Sequence, residues 1–207
     1  MVIRDWSSDV CSSDLMSLLM RPKLKPDAVS AITLVAAAGM TKALEDCTKL
    51  NIGIKWPNDL IINGKKVCGI LTEMSAEINQ LHYIILGIGV NLNQMSFPES
   101  LLDKATSLKK ENVEVSSKQL LGKFLASFSE FYRQFLEGDV SQIIAFHQAH
   151  SVTIGKAVQI VSPIETRDAY VLDINADGSL LVKNDLGETE IVFSGEVSIR
   201  GINGYIE

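Results

Sequence analysis

Apolar and polar positions follow two different periods along this chain, and the period changes near residue 151. Before that point, apolar side chains recur at helical spacing over residues 26–49, between Ser117 and Gly138, and over residues 140–150, which predicts three helices. After it, short apolar runs separated by turn residues predict a small closed barrel of strands. Those strands are predicted over residues 158–161, 169–174, 180–183, 190–193 and 197–199. The pattern therefore predicts an α+β protein with domains at 15–150 and 151–207.

The first domain also contains predicted strands. Residues 52–55 and 60–62 are short apolar runs, and the Asn63-Gly64 pair after them predicts a hairpin, because both turn residues need positive φ. The run over residues 83–90 is almost wholly apolar, which predicts a strand buried on both faces.

Residues 55–60, with the sequence KWPNDL, place a cation, an aromatic ring and two polar turn formers at the end of a predicted strand. Loops held by a rigid sheet are where binding groups concentrate, so Lys55 is the first candidate for a functional side chain. The strand over residues 83–90 carries Gly87 and Gly89 and is followed by Asn91. Glycine lets a ligand approach the backbone, and asparagine offers the donor and acceptor that a purine or ureido edge needs.

Most of these residues also have a structural interpretation. Trp56 fits a core position, the Asn58-Asp59 pair fits a simple turn, and Gly87 and Gly89 fit a bulge or tight packing. Lys65-Lys66 is interpreted as a solvated turn.

Charge and composition restrict the class of function. The formal net charge of −6 argues against nucleic-acid binding by a basic surface. The three cysteines have no metal-ligand spacing, which suits a reducing cytosol, and no apolar run is long enough to span a bilayer. His147 and His150 lie one turn apart on a predicted helix and are interpreted as a surface pair. The expectation is a cytoplasmic protein without a metal site or a membrane anchor.

Residues 1–14 contain the near-repeat SSDVC-SSDL, whose period of five fits neither a strand nor a helix. This segment resembles a translated adapter or cloning scar, and we interpret it as non-native. The predicted first domain therefore starts at Leu15, inside a strand.

Four ordered blocks of the chain resemble the catalytic domain of biotin protein ligases, the biotin–[acetyl-CoA-carboxylase] ligases. The blocks are KWPNDL at 55–60, KVCGILTE at 66–73, LGIGVNLN at 86–93 and ATSL at 105–108. Residues 195–200 resemble the closing motif of the SH3-like C-terminal domain of the same ligases. The resemblance implies a mixed-sheet, class II synthetase-like catalytic domain with helices on one side, followed by a small SH3-like β-barrel.

The resemblance also implies a two-step acyl activation. Biotin and ATP form biotinoyl-5′-AMP, and a lysine of a biotin carboxyl carrier domain then accepts the biotinyl group. Lys55 is the implied catalytic residue, because a cation stabilises two anions while they react. Mg²⁺ would be held mainly by the phosphates and water. The implied biotin-binding residues are Lys55, Trp56, Gly69 and Leu71, and the implied ATP-binding residues are Asn58, Asp59, Asn91 and Arg200.

Two features of the family have no counterpart in this sequence. We find neither the loop rich in glycine and arginine that closes over biotin and the adenylate nor the Ser-Thr segment that helps to bind biotin. Three hypotheses therefore stay open: an ATP-dependent biotin–protein ligase, a lipoate or octanoate acyl-transfer relative, and a non-catalytic biotin-binding fragment. The sequence also leaves open an upstream winged-helix repressor domain, the acceptor protein and the sheet-to-sheet homodimer of relatives.

Overall fold

The computed structural model describes residues 14–24, 26, 29–77, 80–194 and 197–201. These residues form three helices and two five-stranded sheets, which confirms the predicted α+β class. The first part of the chain contains β1 (Asp14–Met20), α1 (Val29–Thr48), β2 (Gly53–Lys55), β3 (Asp59–Ile62), β4 (Lys65–Glu77) and β5 (Gln80–Val90). The second part contains α2 (Ser117–Leu136), α3 (Ser141–His150), β6 (Ala157–Val161), β7 (Thr166–Ile174), β8 (Leu180–Asn184), β9 (Thr189–Val192) and β10 (Ser198–Gly201).

The first sheet has the strand order β1-β5-β4-β3-β2, and α1 packs against β4, β3 and β2. Along β5, Ile84, Leu86, Ile88 and Val90 are buried, whereas the residues between them are more exposed. The prediction that this strand is buried on both faces was therefore wrong. Helices cover one face of the sheet, so the strand alternates between a core face and an open face.

The strand connections follow the turn chemistry of the sequence. Asn63 and Gly64 have φ values of 49° and 76°, which confirms the predicted hairpin turn between β3 and β4. All described strand pairs are antiparallel, and parallel pairing occurs only at two isolated bridges in the described residues. The sheet that was expected to be mixed is therefore antiparallel where the structure describes it. The helix predicted from residue 26 begins at Val29, and residues 27 and 28 lie outside the described part.

Helices α1 and α2 approach each other closely because α1 is rich in small residues. A Cβ atom added to Gly39 would lie 3.0 Å from the Cα of Phe128, so only glycine fits at this contact without a shift of the backbone. In α2, three aromatic residues of the apolar pattern are buried: Phe124, Phe128 and Phe131. None of the helices that the structure describes has both the length and the apolar character needed to cross a bilayer.

The second sheet has the order β10-β6-β7-β8-β9 and docks onto the first part of the molecule through the β7–β8 turn. The indole nitrogen of Trp56 donates a hydrogen bond of 2.8 Å to the carbonyl of Gly178 in this turn. Gly178 has a φ of 88°, and a Cβ atom there would meet the side chain of Leu34 at 3.3 Å. The turn is thus held between α1 and Trp56, and one buried core extends across both sheets.

His147 lies in the interior, so the prediction of a surface pair with His150 was wrong for this residue. It is 3% exposed because α3 packs against α1, and its Nε2 lies 2.9 Å from the carbonyl oxygen of Leu34. A carbonyl only accepts, so Nε2 carries the proton and donates. Burial lowers the pKa of His147 from 6.5 to about 4, which keeps the ring neutral at pH 7.

Replacing Trp56 by Phe should lower the free energy of unfolding by about 1–3 kcal/mol, because the Gly178 carbonyl would remain buried without its donor. Urea unfolding followed by circular dichroism measures this change. The control is Tyr170→Phe at a residue 44% exposed, where we expect a change of less than about 0.5 kcal/mol. Equal urea midpoints for Trp56→Phe and the unaltered chain would show that this hydrogen bond does not stabilise the docking.

The stability of the protein should decrease between pH 6.5 and pH 4 through His147. In this interval His147 binds a proton in the unfolded state but stays neutral in the folded state. The free energy of unfolding therefore falls as the pH falls. The loss is about 3 kcal/mol at pH 4, from 1.36 kcal/mol for each pH unit. Urea unfolding at several pH values should show this slope reduced in His147→Gln and retained in His82→Gln, at a partly exposed histidine. The same slope in both variants would refute the assignment.

Candidate functional site

The β2–β3 hairpin brings Lys55 opposite Asp59. The two residues are cross-strand partners at the closed end of the hairpin, and the loop between them contains Trp56, Pro57 and Asn58. The Asn58 side chain donates a hydrogen bond of 2.6 Å to the carbonyl of Ile70 in β4, and the backbone NH of Ile70 donates to the Asn58 carbonyl at 3.0 Å. The loop that carries Lys55 is therefore held between the second sheet, through Trp56, and β4, through Asn58.

Lys55 is a buried cation. It is only 5% exposed, and burial lowers its pKa from 10.5 to about 8, although the negative charge of Asp59 opposes that decrease. The positive charges of Lys66 and Arg200 lower the pKa further. The side chain is still mostly protonated at pH 7, and an anion bound beside it would restore the pKa by favouring the charged form.

Lys66 belongs to the same group of charges, so its interpretation as part of a solvated turn was wrong. Its Nζ forms an ion pair of 2.5 Å with Asp59 Oδ1, and its side chain lies over Gly69. Sequence reasoning missed this residue, although it is the first residue of the KVCGILTE block. The sequence signal for this residue is its place in the KVCGILTE block. Its contact with Asp59 follows from the pairing of β4 with β3 in the structure.

A cavity of about 310 Å³ lies over the first sheet beside these charges. Its walls come from β1, β4 and β5, and Gly69 of β4 pairs directly with Gly89 of β5. Two glycines opposite each other form a trough that has no side chains of its own, and the Lys66 side chain lies over it at Gly69. A Cβ atom on Gly89 would lie 3.0 Å from Leu15, which shows that β1 closes the trough on the far side.

Asn91 is anchored at the end of β5 by the ATSL block. Its backbone NH donates to the carbonyl of Val67, and its side-chain amide donates to the carbonyl of Thr106 at 3.0 Å. Thr106 also binds β4, because its NH donates to the carbonyl of Lys66 at 2.9 Å. The block therefore braces both Asn91 and Lys66 at one end of the cavity, which gives it a structural role.

The structure divides the predicted site residues into three groups. Asn58, Gly69, Leu71 and Asn91 line the cavity. Lys55, Asp59 and Arg200 are linked by charge, with Arg200 reaching the group from β10 of the second sheet. Trp56 is 4% exposed and buried in the core, away from the residues that line the cavity, so its predicted contact with biotin stays a prediction.

The site has the chemistry of an anion-binding pocket. Lys66 lines a largely apolar cavity and pairs with Asp59, and Lys55 feels the charges of Asp59, Lys66 and Arg200. In the described residues, no cluster of three histidine, cysteine, aspartate or glutamate side chains is placed to hold a metal ion. Electrostatic stabilisation of an anionic reaction is therefore the chemistry that these side chains can supply.

The sequence and the fold of this chain are similar to those of known proteins. Residues 5–91 match the sequence profile described as the biotin/lipoate A/B protein ligase family. The bifunctional ligase/repressor BirA of Bacillus spizizenii is 33% identical over 199 residues, which cover 95% of this chain and 61% of that protein. The chain resembles the biotin protein ligases in sequence and in fold. It spans about three fifths of the length of this relative.

Other ligases of the family show the same resemblance. The biotin--[acetyl-CoA-carboxylase] ligase of Mycobacterium tuberculosis is 30% identical over 148 residues, 70% of this chain and 52% of that protein. The biotin protein ligase of Aquifex aeolicus in complex with biotin and ATP superposes with a TM-score of 0.78 at 27% identity, covering 90% of this chain and 78% of that one. Its apo structure gives a TM-score of 0.80 over 90% of this chain and 81% of its own. These neighbours share the α+β fold that the sequence predicted.

The match to the ligase family begins at residue 5, inside the segment that we interpreted as non-native. Residues 1–13 lie outside the described part of the structure, and β1 begins at Asp14. The boundary at residue 15 and the division at residue 151 stay predictions.

The Lys55 ammonium should lose its proton near pH 8, well below 10.5, because it is buried. Carbon-13 NMR of protein labelled at the lysine Cε atoms can follow this titration, and Lys55→Arg identifies the signal by removing it. The cation exists below its pKa, so any anion that it binds should bind less tightly as the pH rises through 8. A titration midpoint at 10.5 would contradict the burial of this charge.

Proposed function

We propose that the protein is an ATP-dependent biotin–protein ligase. The observation that carries the proposal is the buried ammonium of Lys55, held at the end of a hairpin whose loop residue Asn58 lines a largely apolar cavity. A ureido ring with an aliphatic chain suits such a cavity, and its carboxylate suits the neighbouring cations. Similarity to the biotin protein ligases supports the choice of biotin, and the Aquifex aeolicus neighbour was solved with biotin and ATP.

The reaction joins two anions. A carboxylate oxygen of biotin attacks the α-phosphorus of ATP, and the bond from that phosphorus to the bridging oxygen of pyrophosphate breaks. Biotinoyl-5′-AMP and pyrophosphate result. The amine of an acceptor lysine then attacks the acyl carbon, AMP leaves, and the amine loses a proton. Lys55 stabilises the negative oxygens during both steps, and the protein supplies no nucleophile because both nucleophiles belong to substrates.

The remaining predicted residues support binding. Gly69 and Leu71 line the cavity and are proposed to contact biotin together with Lys55 and Trp56. The nucleotide is proposed to lie near Asn58, Asp59, Asn91 and Arg200, the last of which brings a charge from the second sheet.

Magnesium enters the proposal only as part of the substrate MgATP. The described residues offer no group of three acidic, histidine or cysteine ligands that would form a protein-built metal site, so the phosphates and water would supply most ligands.

The acceptor is proposed to be a lysine of a biotin carboxyl carrier domain, and the reaction is proposed to take place in the cytoplasm. The homodimer expected by resemblance also stays a prediction. The open face of the first sheet exposes Leu15 and Leu19, which is compatible with such an assembly.

Replacing Lys55 by Ala should lower biotin-dependent ATP–pyrophosphate exchange about 10²–10³-fold, as for removal of other charged stabilisers of an oxyanion. Lys55→Arg should restore little of the rate, because a planar guanidinium cannot occupy the position of a compact ammonium. The matched control is Lys118→Ala at an exposed lysine at the start of α2, which should leave the rate unchanged. Full exchange activity in Lys55→Ala would refute the assigned role.

The same assay separates the open hypotheses. Exchange with biotin but not with lipoate supports the proposal, and exchange with lipoate alone would favour the acyl-transfer relative. Biotin binding without any exchange by this chain would favour the non-catalytic fragment.

A further inference from the structure

Lys66 occupies a place in the cavity wall that only glycine makes available. Its Cε and Nζ atoms lie 2.8 Å from the point where a Cβ atom on Gly69 would be, too close for any side chain at residue 69 unless Lys66 moved. Lys66 itself lines the cavity, as does Gly69. The ammonium therefore crosses the glycine trough, whereas that of its neighbour Lys65 bonds to the carbonyl of Leu102.

The partner of Lys66 is one that a bound anion could replace. The Lys66 side chain is 38% exposed and the Asp59 side chain 15% exposed, so water reaches the ion pair. Exposed pairs of this kind contribute little net stability, because solvent screens them. Exchanging the carboxylate for another oxyanion therefore costs little, and the long lysine side chain can follow the incoming group.

The local charge favours that exchange. Lys55, Lys66 and Arg200 act together on the same small region, where Asp59 is the anion that offsets them. Among the described residues that act on Lys55, cations outnumber carboxylates, so the region attracts a multiply charged anion more strongly than a singly charged one.

We propose that Lys66 is a second cationic binding residue of this site, which leaves Asp59 and binds phosphate oxygens of the nucleotide. The inference rests on the proposed function for the identity of the ligand, MgATP. In the protein without ligand, Asp59 holds Lys66 across Gly69. With the nucleotide bound, the phosphates take the place of Asp59, and the trough over Gly69 is opened for the second substrate.

The test compares two adjacent lysines of equal charge. Lys66→Met removes the proposed binding residue, and Lys65→Met is the matched control, because Lys65 donates to the carbonyl of Leu102 at 2.9 Å and does not line the cavity. Dissociation constants for MgATP alone and for biotin alone are measured by isothermal titration calorimetry on the full chain. We expect Lys66→Met to weaken MgATP binding at least tenfold and to change biotin binding less than twofold. Lys65→Met should change both less than twofold.

Three results would overturn the proposal. The first is unchanged MgATP affinity in Lys66→Met. The second is an equal loss of affinity for MgATP and for biotin, which would indicate that Lys66 shapes the cavity. The third is the absence of MgATP binding by the unaltered chain. These outcomes are distinct from failure of the proposed function, which would appear as an absence of biotin-dependent pyrophosphate exchange while MgATP still binds.

A second variant tests the exchange of partners directly. Asp59→Asn removes the competitor for Lys66 and a negative charge near the phosphates, so MgATP should bind several-fold more tightly. In the Lys66→Met background the gain should be smaller, because only the general repulsion is relieved. An equal gain in MgATP affinity in both backgrounds, or a loss of affinity in either, would show that Asp59 does not compete with the phosphates for Lys66.

Discussion

The burial of the Lys55 ammonium is the constraint on which the site depends. A cation withdrawn from water is disfavoured, and the decrease of its pKa to about 8 is the measure of that cost. The fold tolerates the charge because the hairpin register places Asp59 directly opposite. Two further cations act in the other direction, so the free protein holds Lys55 in a state that an anionic ligand would improve. The Lys55 ammonium is thus both the group that burial disfavours and the group that an anionic ligand would bind.

The position of that ammonium is set by contacts far apart in the chain. Trp56, the residue after Lys55, hydrogen-bonds to Gly178 in the second sheet, and Asn58 hydrogen-bonds to Ile70 in the first. The short hairpin of residues 53–62 would not hold a buried charge by itself, since isolated two-stranded hairpins are marginally stable. The second sheet therefore contributes to the site in two ways: it anchors the loop through Trp56 and places the charge of Arg200 near Lys55.

Local patterns predicted the elements well, and contacts between distant residues were predicted poorly. The Asn63-Gly64 turn and the strands after residue 151 could be predicted because turn residues and apolar runs are read from adjacent positions. Asn58, Gly69 and Asn91, which line the cavity, were predicted as site residues because they belong to ordered motifs. His147 was misjudged because its burial depends on α3 packing against α1, more than a hundred residues away. Lys66 was misjudged because a lysine beside a turn is usually solvated, and only the pairing of β3 with β4 brings it to Asp59 and the cavity.

The two lysines of the site differ in a way that matters for catalysis. Lys55 is buried and held by a hairpin anchored at both ends, so its charge needs no reorganisation when negative charge develops beside it, which is the condition for stabilising a transition state. Lys66 is half-exposed and bound to a partner that an oxyanion can replace, so part of its interaction with a ligand is offset by the loss of Asp59. Interactions that are equally strong in the bound substrate and in the transition state improve binding without accelerating the chemical step. A movable cation is therefore suited to capturing a phosphate, whereas the immobile one is suited to the reaction itself, and the same fold holds both within one hairpin and its neighbouring strand.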